Sequence, residues 1–228
     1  YARRVFLADG NALCLPTERL AAILSWLRKA FPGLERVGIY ANGGDINAKT
    51  RGELVRLARL GLGIVYLGLE SGDDEVLRRV RKKDSCEEMV QAVVKARECG
   101  LLTSVIVLLG LAGREGSLRH ARLSAEAVSR MNPHYLSALT LMVVPGTPLY
   151  DEQERGDFEL PDQEGLLREL REFISCCRLE GCVFRTNHAS NYLPLKGILS
   201  RDREKLLQAI DEGLRRPQIL RPEYMRGL

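Results

Sequence analysis

The chain has 228 residues, 45% of them hydrophobic and 28% charged, with a formal net charge of +4. That length and apolar content suit one large domain or two small ones with a sizeable core, which excludes a disordered or collagen-like chain. No apolar run approaches the roughly 18–20 residues of a membrane span, and the basic residues alternate with Asp and Glu, so neither a membrane protein nor a dedicated nucleic-acid binder is expected.

The sequence opens at Tyr1 directly before a strand candidate at 5–8, with no cap or leader ahead of it, which suggests that a structured segment has been lost upstream. Further strands are expected at 37–41, 64–69, 105–111, 136–144 and 182–184; they are nearly continuously apolar, the pattern of buried parallel strands. Helices are expected between them at 17–31, 51–60, 73–81 continuing as 87–99, 117–131 and 162–179. In the last of these Leu166, Leu170, Phe173, Ile174 and Cys177 recur at three- and four-residue steps and form one apolar stripe. Thr17, Ser85 and Ser117 are candidate N-caps, and Gly33, Gly61, Gly100 and Gly181 stand where helices must stop. The unit is βα, repeated over a partial barrel at 1–192; a C-terminal helix and a solvated or loosely docked basic tail make up 193–228.

The loops differ by direction. Those entering strands are short and bland, whereas those leaving strands are polar: Asp9-Gly10-Asn11, Asn42-Gly43-Gly44-Asp45, Glu70-Ser71-Gly72-Asp73-Asp74, Gly113-Arg114-Glu115, Pro145-Gly146-Thr147-Pro148 and Arg185-Thr186-Asn187-His188. In parallel α/β folds the carboxyl ends of the strands share one rim, where ligands bind. The first strand is not followed by G-x-G-x-x-G, and the glycines of 110–116 have the wrong spacing and read as a tight turn before a helix. A partial (βα) barrel of about six parallel strands is therefore favoured over a Rossmann sheet.

Glu70 closes its strand and projects a carboxylate from a rigid edge, where such groups bind ribose hydroxyls or amines; Ser71 follows it, and Ser71 or Asp73 alternatively caps the next helix. Asp9, Gly10 and Asn11 hold the equivalent position after the first strand, where a glycine lets a ligand approach the backbone, or they form an ordinary turn. The six cysteines read as reduced thiols of a cytoplasmic protein, because they lack paired spacing and no signal-peptide pattern opens the chain. Cys176 and Cys177 point about 100° apart on a helix, which argues against a zinc site with Cys182 and His188. No cysteines stand in C-x-x-C or C-x-x-x-C-x-x-C spacing, so local cysteines build no iron–sulfur site. His188 is an acid, a base, a substrate contact or a hydrogen-bonded loop residue, and His120 and His134 are expected at the surface.

The segments Phe6-Leu7-Ala8-Asp9-Gly10-Asn11, Gly68-Leu69-Glu70-Ser71-Gly72-Asp73-Asp74, Leu108-Leu109-Gly110-Leu111-Ala112-Gly113 and Pro145-Gly146-Thr147-Pro148-Leu149-Tyr150 resemble the radical SAM superfamily, in order over 5–150. The branch they resemble is that of oxygen-independent coproporphyrinogen oxidase. The resemblance implies a radical SAM barrel lacking its first βα unit, with S-adenosylmethionine as cofactor and an electron donor as partner. It implies that Asp9, Gly10 and Asn11 match the loop, commonly Gly-Gly-Glu, that holds the methionyl amino group, and that Glu70 beside Ser71 meets the ribose or methionyl part. Leu108 and Gly110 belong to the segment that packs the adenine, Val144 and Pro145 give it backbone contacts, and Tyr40 faces the same cavity.

Two departures stand out: Asp9-Gly10-Asn11 is not Gly-Gly-Glu, and the first glycine of the adenine segment is missing. The cysteine motif that holds the family's [4Fe–4S] cluster is absent and would lie upstream if the first strand here is the family's second. The implied reaction, reductive cleavage of S-adenosylmethionine and hydrogen abstraction from an unknown substrate, then belongs to a longer parent. The alternatives are a cluster-free binding or scaffold module of the same fold, or an unrelated barrel enzyme binding a phosphorylated metabolite at the 110–116 loop.

Overall fold

The computed structural model describes residues 2–8 and 10–227. Its elements in chain order are β1 (Arg4–Leu7), α1 (Thr17–Ala30), β2 (Arg36–Tyr40), α2 (Gly43–Ala48), α3 (Arg51–Arg59), β3 (Leu62–Glu70), α4 (Asp74–Arg79), α5 (Cys86–Glu98) and β4 (Leu102–Leu109). They continue with α6 (Gly113–Met131), β5 (Tyr135–Thr140), α7 (Pro148–Arg155), α8 (Gln163–Cys176), β6 (Val183–Arg185), β7 (Lys196–Ile198) and α9 (Leu199–Arg215). The strands form one open sheet in the order β1 to β7. The first six are parallel, as expected of successive βα crossovers, and β7 turns back antiparallel on β6.

The sheet is covered by helices on one face. Val37, Ile39, Val65, Leu67, Leu69, Val105, Val107, Leu136, Ala138 and Phe184 point into that layer and form the main core with α1, α3, α5, α6, α8 and α9. The alternate residues Phe6, Tyr40, Tyr66, Ser104, Ile106, Ser137 and Arg185 point to the other, open face. The strands are therefore not buried on both sides, as their apolar character suggested; β3 and β4 alternate buried with half-buried positions over most of their length. Among the described residues, no helix is long and apolar enough to cross a membrane.

Local chemistry moves several boundaries. α6 begins at Gly113 instead of at Ser117, because Gly110 and Gly113 take φ of 84° and 72° and turn the chain straight into the helix. Ser117 is thus inside α6 and buried. Thr17 is the first residue of α1 with Pro16 ahead of it, and its hydroxyl donates to Glu53 at 2.7 Å. Ser85 is an N-cap as expected, in a full capping box with Glu88. The helical stretch from 73 is broken into α4 and α5, with Arg81 at φ 56° in the break. Gly61, Gly100 and Gly181 adopt the left-handed turn, whereas Gly33 does not, and α1 ends at Phe31. The expected strand at 136–144 ends at Thr140; Leu141 instead packs with Val76, Leu111 and Phe158 in a second small core.

The C-terminal tail is docked, not solvated. Arg221 donates to the carbonyls of His188, Ala189 and Asn191, and Arg226, with only 3% of its side chain exposed, stacks 4.1 Å over the Tyr192 ring.

Candidate functional site

The parallel sheet brings the carboxyl ends of β1 to β6 to one rim. Tyr40 and Glu70 are the last residues of β2 and β3, Gly110 follows β4 directly, and Val144 and Pro145 lie exposed a few residues beyond β5. Gly10 and Asn11 follow β1; Asp9 lies outside the described residues. Leu108 sits half-buried on the open face of β4.

Glu70 has the most distinctive geometry of these. The register of β3 against β4 slips between Gly68 and Glu70, a bulge at the end of the strand. Its φ of 62° is a left-handed conformation that a residue with a side chain rarely holds. The carboxylate lies over the bare Cα of Gly68, where a Cβ would sit 1.9 Å from Oε1, and Lys82 Nζ approaches it at 3.3 Å. About a quarter of each side chain of that pair is exposed, so solvent can be displaced from the carboxylate by a ligand.

Ser71 has turned inward. It is fully buried and its hydroxyl accepts from Asp73 N at 2.9 Å, while Asp73 caps α4 by accepting from Glu75 N and pairs with Arg119. Gly72 is pressed on α6, where a Cβ would fall 2.3 Å from the Leu123 carbonyl, and its N–H donates to Ser124 Oγ. Ser71 therefore shapes the turn behind Glu70, and its hydroxyl is occupied there.

At the end of β4 the Gly110 N–H donates to Glu169 Oε1 at 2.9 Å. Glu169 is fully buried on α8; it also accepts from Ser117 Oγ at 2.5 Å and lies 2.9 Å from His120 Nδ1. His120 is 0% exposed, contrary to the expectation of a surface histidine, and its Nε2 lies 3.3 Å from the Glu70 carbonyl oxygen. His134 is half-buried as well: its Nδ1 accepts from Thr103 N, and burial followed by the nearby Arg97 charge lowers its pKa. The sequence did carry a signal for Glu169, which sits between Leu166 and Phe173 on the apolar stripe of α8. His120 likewise falls on the buried stripe of α6 with Ser117, Ser124 and Met131. Because the 110–116 loop spends the Gly110 N–H on Glu169 and the Arg114 N–H on the Glu159 carbonyl, it offers little to a phosphate.

Two cavities open near the rim. One, of 280 Å³, is mostly apolar and lies beyond β4 and β5 between Val80, Leu111, Leu141, Val143, Val144 and Leu149, with the Arg79–Glu152 pair at its edge. The other, of 550 Å³, lies on the open face and is lined by Tyr40, Tyr66, Ser104, Ser137, Arg185 and His188 among others, with no carboxylate among the described residues of its wall. Phe6, Tyr40 and Tyr66 meet edge to face with centroids 4.7–6.1 Å apart. Val144 and Tyr40 thus line different cavities. At the β1 end Gly10 takes φ 68°, and Asn11 donates to the Asp45 carboxylate while its own Oδ1 is buried without a partner among the described residues.

His188 is an exposed loop residue whose Nδ1 accepts from Ser190 N at 3.2 Å. The thiols are free: Cys86 and Cys182 are pushed up to about 11 and about 12 by burial, and Cys177 is raised further by the same cause. Among the described residues no three His, Cys, Asp or Glu side chains converge as a metal site.

Residues 1–116, about half of the chain, match the Radical SAM superfamily. The heme chaperone HemW of Bacillus subtilis (strain 168) is 23% identical over 166 residues, covering 71% of this chain and 42% of that protein. The chain thus spans less than half the length of this curated relative. Among solved structures, the archaeal Methanocaldococcus infernus Elp3 with an N-terminal deletion superposes with a TM-score of 0.65 at 16% identity, over 92% of this chain and 54% of that one. Escherichia coli coproporphyrinogen III oxidase (HemN), a radical SAM enzyme, gives 0.60 at 19% identity over 76% and 39%. The solved structures agree with the fold, and HemW and HemN fit the coproporphyrinogen oxidase-like branch.

Proposed function

The chain belongs to the radical SAM superfamily, and on that premise we propose that its strand-end rim binds S-adenosylmethionine as the cofactor-facing part of a radical SAM enzyme. Membership implies S-adenosylmethionine and a [4Fe–4S] cluster as cofactors and a reductant as electron donor. In such enzymes S-adenosylmethionine is cleaved reductively and a substrate hydrogen is abstracted. The cluster does not fit the residues described: the six cysteines are dispersed or buried, and no three ligands converge. No step through the cluster is assigned to them.

The observation that carries the reading is Glu70, a strained, partly exposed carboxylate at a strand end of the rim near which the apolar cavity of 280 Å³ opens, although Glu70 does not line that cavity. Glu70 accepts from the ribose or methionyl part, a task suited to a carboxylate that among the described residues pairs with the long, adaptable Lys82. Leu108, Gly110, Val144 and Pro145 border the adenine, Gly10 and Asn11 face the methionyl end, for which Asp9 is also a candidate by sequence, and Ser71 supports Glu70 from behind. Tyr40 belongs to the substrate side. The 550 Å³ cavity, with aromatic rings on one wall and Arg185 on the other, suits a flat molecule carrying negative charge. The likeness to a heme chaperone and to a coproporphyrinogen III oxidase supports a heme-related substrate.

Calorimetric titration with S-adenosylmethionine tests the cofactor reading. Weak binding is expected, reduced in Glu70→Ala by the loss of one charged hydrogen bond worth about 1.5–3 kcal/mol. No binding, or binding indifferent to Glu70→Ala, overturns it.

A further inference from the structure

The buried pair His120–Glu169 has no part in the function proposed above, and its cost demands an explanation. Both side chains are 0% exposed, and removing ionisable groups from water is unfavourable unless every hydrogen-bonding position is used. Here nearly all are. Glu169 receives the Gly110 N–H, the Ser117 hydroxyl and the His120 ring, and His120 in turn reaches the Glu70 carbonyl. A carbonyl can only accept, so the contact with Glu70 uses Nε2 as the donor and leaves Nδ1 facing Oε1.

The five residues so joined come from four places: Glu70 from the end of β3, Gly110 from the end of β4, His120 and Ser117 from α6, and Glu169 from α8. A pair needed only to glue α6 to α8 would touch those helices alone. This one reaches past them to two strand ends. At Glu70 it holds the peptide of a residue with positive φ, whose conformation is stable only if its surroundings fix it. At Gly110 it ties down a loop N–H next to the expected adenine segment.

We propose that His120 and Glu169 are positioning residues that set the Glu70 carboxylate and the Gly110 backbone for S-adenosylmethionine, an inference that rests on the function proposed above. They touch no ligand; they act through Glu70 and Gly110.

The test is a double-mutant cycle on the chain, with S-adenosylmethionine affinity read by NMR titration and the Glu70 carbonyl ¹³C resonance read without ligand. His120→Gln is expected to shift that resonance and to weaken binding about tenfold, while in the Glu70→Ala background it changes affinity less than about twofold. Equal weakening in both backgrounds overturns the proposal, because a merely structural residue acts on the site whether or not Glu70 is present. An unmoved Glu70 resonance overturns it too. Failure of the unaltered chain to bind S-adenosylmethionine overturns the functional reading and the cofactor role of the pair; a Glu70 resonance that still shifts then supports the coupling between His120 and Glu70 alone. If His120→Gln does not fold, His120→Asn gives the same readings.

Discussion

The Glu70 carboxylate occupies the space that a side chain on Gly68 would need: a Cβ there would lie 1.9 Å from Glu70 Oε1. The obstacle is the far end of a flexible side chain, so Gly68→Ala displaces the carboxylate without breaking the strand. Alanine in a strand interior is favoured over glycine by roughly 0.5–1 kcal/mol, which offsets the lost Glu70–Lys82 contact. The variant is therefore expected to melt close to the unaltered chain and to bind S-adenosylmethionine as poorly as Glu70→Ala. Full affinity in Gly68→Ala would separate the carboxylate's position from ligand binding.

Glu70 itself sets stability against function. Its φ of 62° costs a residue with a Cβ roughly 1–2 kcal/mol, a cost that glycine does not bear. Glu70→Ala and Glu70→Gly lose the same carboxylate and the same partner, yet only the glycine variant relieves the backbone. Urea unfolding is expected to find Glu70→Gly more stable than Glu70→Ala by about 1 kcal/mol, with ligand binding equally impaired in both. Equal stabilities would mean that the turn relaxes on its own.

The legible parts of this molecule are those governed by local pattern. The βα repeat, the order of the strands and the convergence of Tyr40, Glu70, Gly110 and Val144 toward one end of the sheet follow from apolar runs, polar strand-end loops and the handedness of crossovers. The less legible parts depend on long-range pairing. His120 lies on the buried stripe of α6, but the partner that satisfies it there, Glu169, is 49 positions away on α8. β7 is three residues long and carries almost no strand pattern of its own; it exists because β6 offers an edge. The division of the strands into a helix-covered face and an open face was also obscured, since Ile106 and Leu108 on the open side are as apolar as Val105 and Val107 beneath.

Acid should weaken the packing of α1 on α3 through Glu53. Its carboxylate accepts from Thr17 Oγ1, Thr50 N and Thr50 Oγ1, which holds its pKa at about 2 against an ordinary 4.5. Between those values the unfolded chain binds the proton first, so the stability Glu53 supplies is complete above pH 4.5 and is lost as pH falls through about 2. Thermal melts of Glu53→Gln and the unaltered chain should differ most near neutrality and converge across that window. A gap independent of pH would show that the difference comes from packing and not from the charge.

The C-terminal tail should brace the loop that walls the open-face cavity. Arg221 and Arg226 donate to four successive carbonyls, those of His188, Ala189, Ser190 and Asn191. The Asn191 side chain bridges Thr140 and Ala138 on β5 to Thr186, and His188 and Ala189 line the cavity. Removing the Arg226 guanidinium deletes a cation–π contact worth about 0.5–2 kcal/mol and a charged hydrogen bond, so Arg226→Ala should lose about 2 kcal/mol overall. Truncation after Leu220 should go further, speeding hydrogen exchange at the Ser190 and Asn191 amides while leaving α1 protected. Tyr192 supplies an independent readout: burial, then its hydrogen bond with Glu223, pushes its phenol up to about 12, and an exposed ring should return toward its ordinary 10. Spectrophotometric titration of the truncated chain showing Tyr192 still near 12, with unchanged exchange at 190 and 191, would mean that the loop holds its shape without the tail.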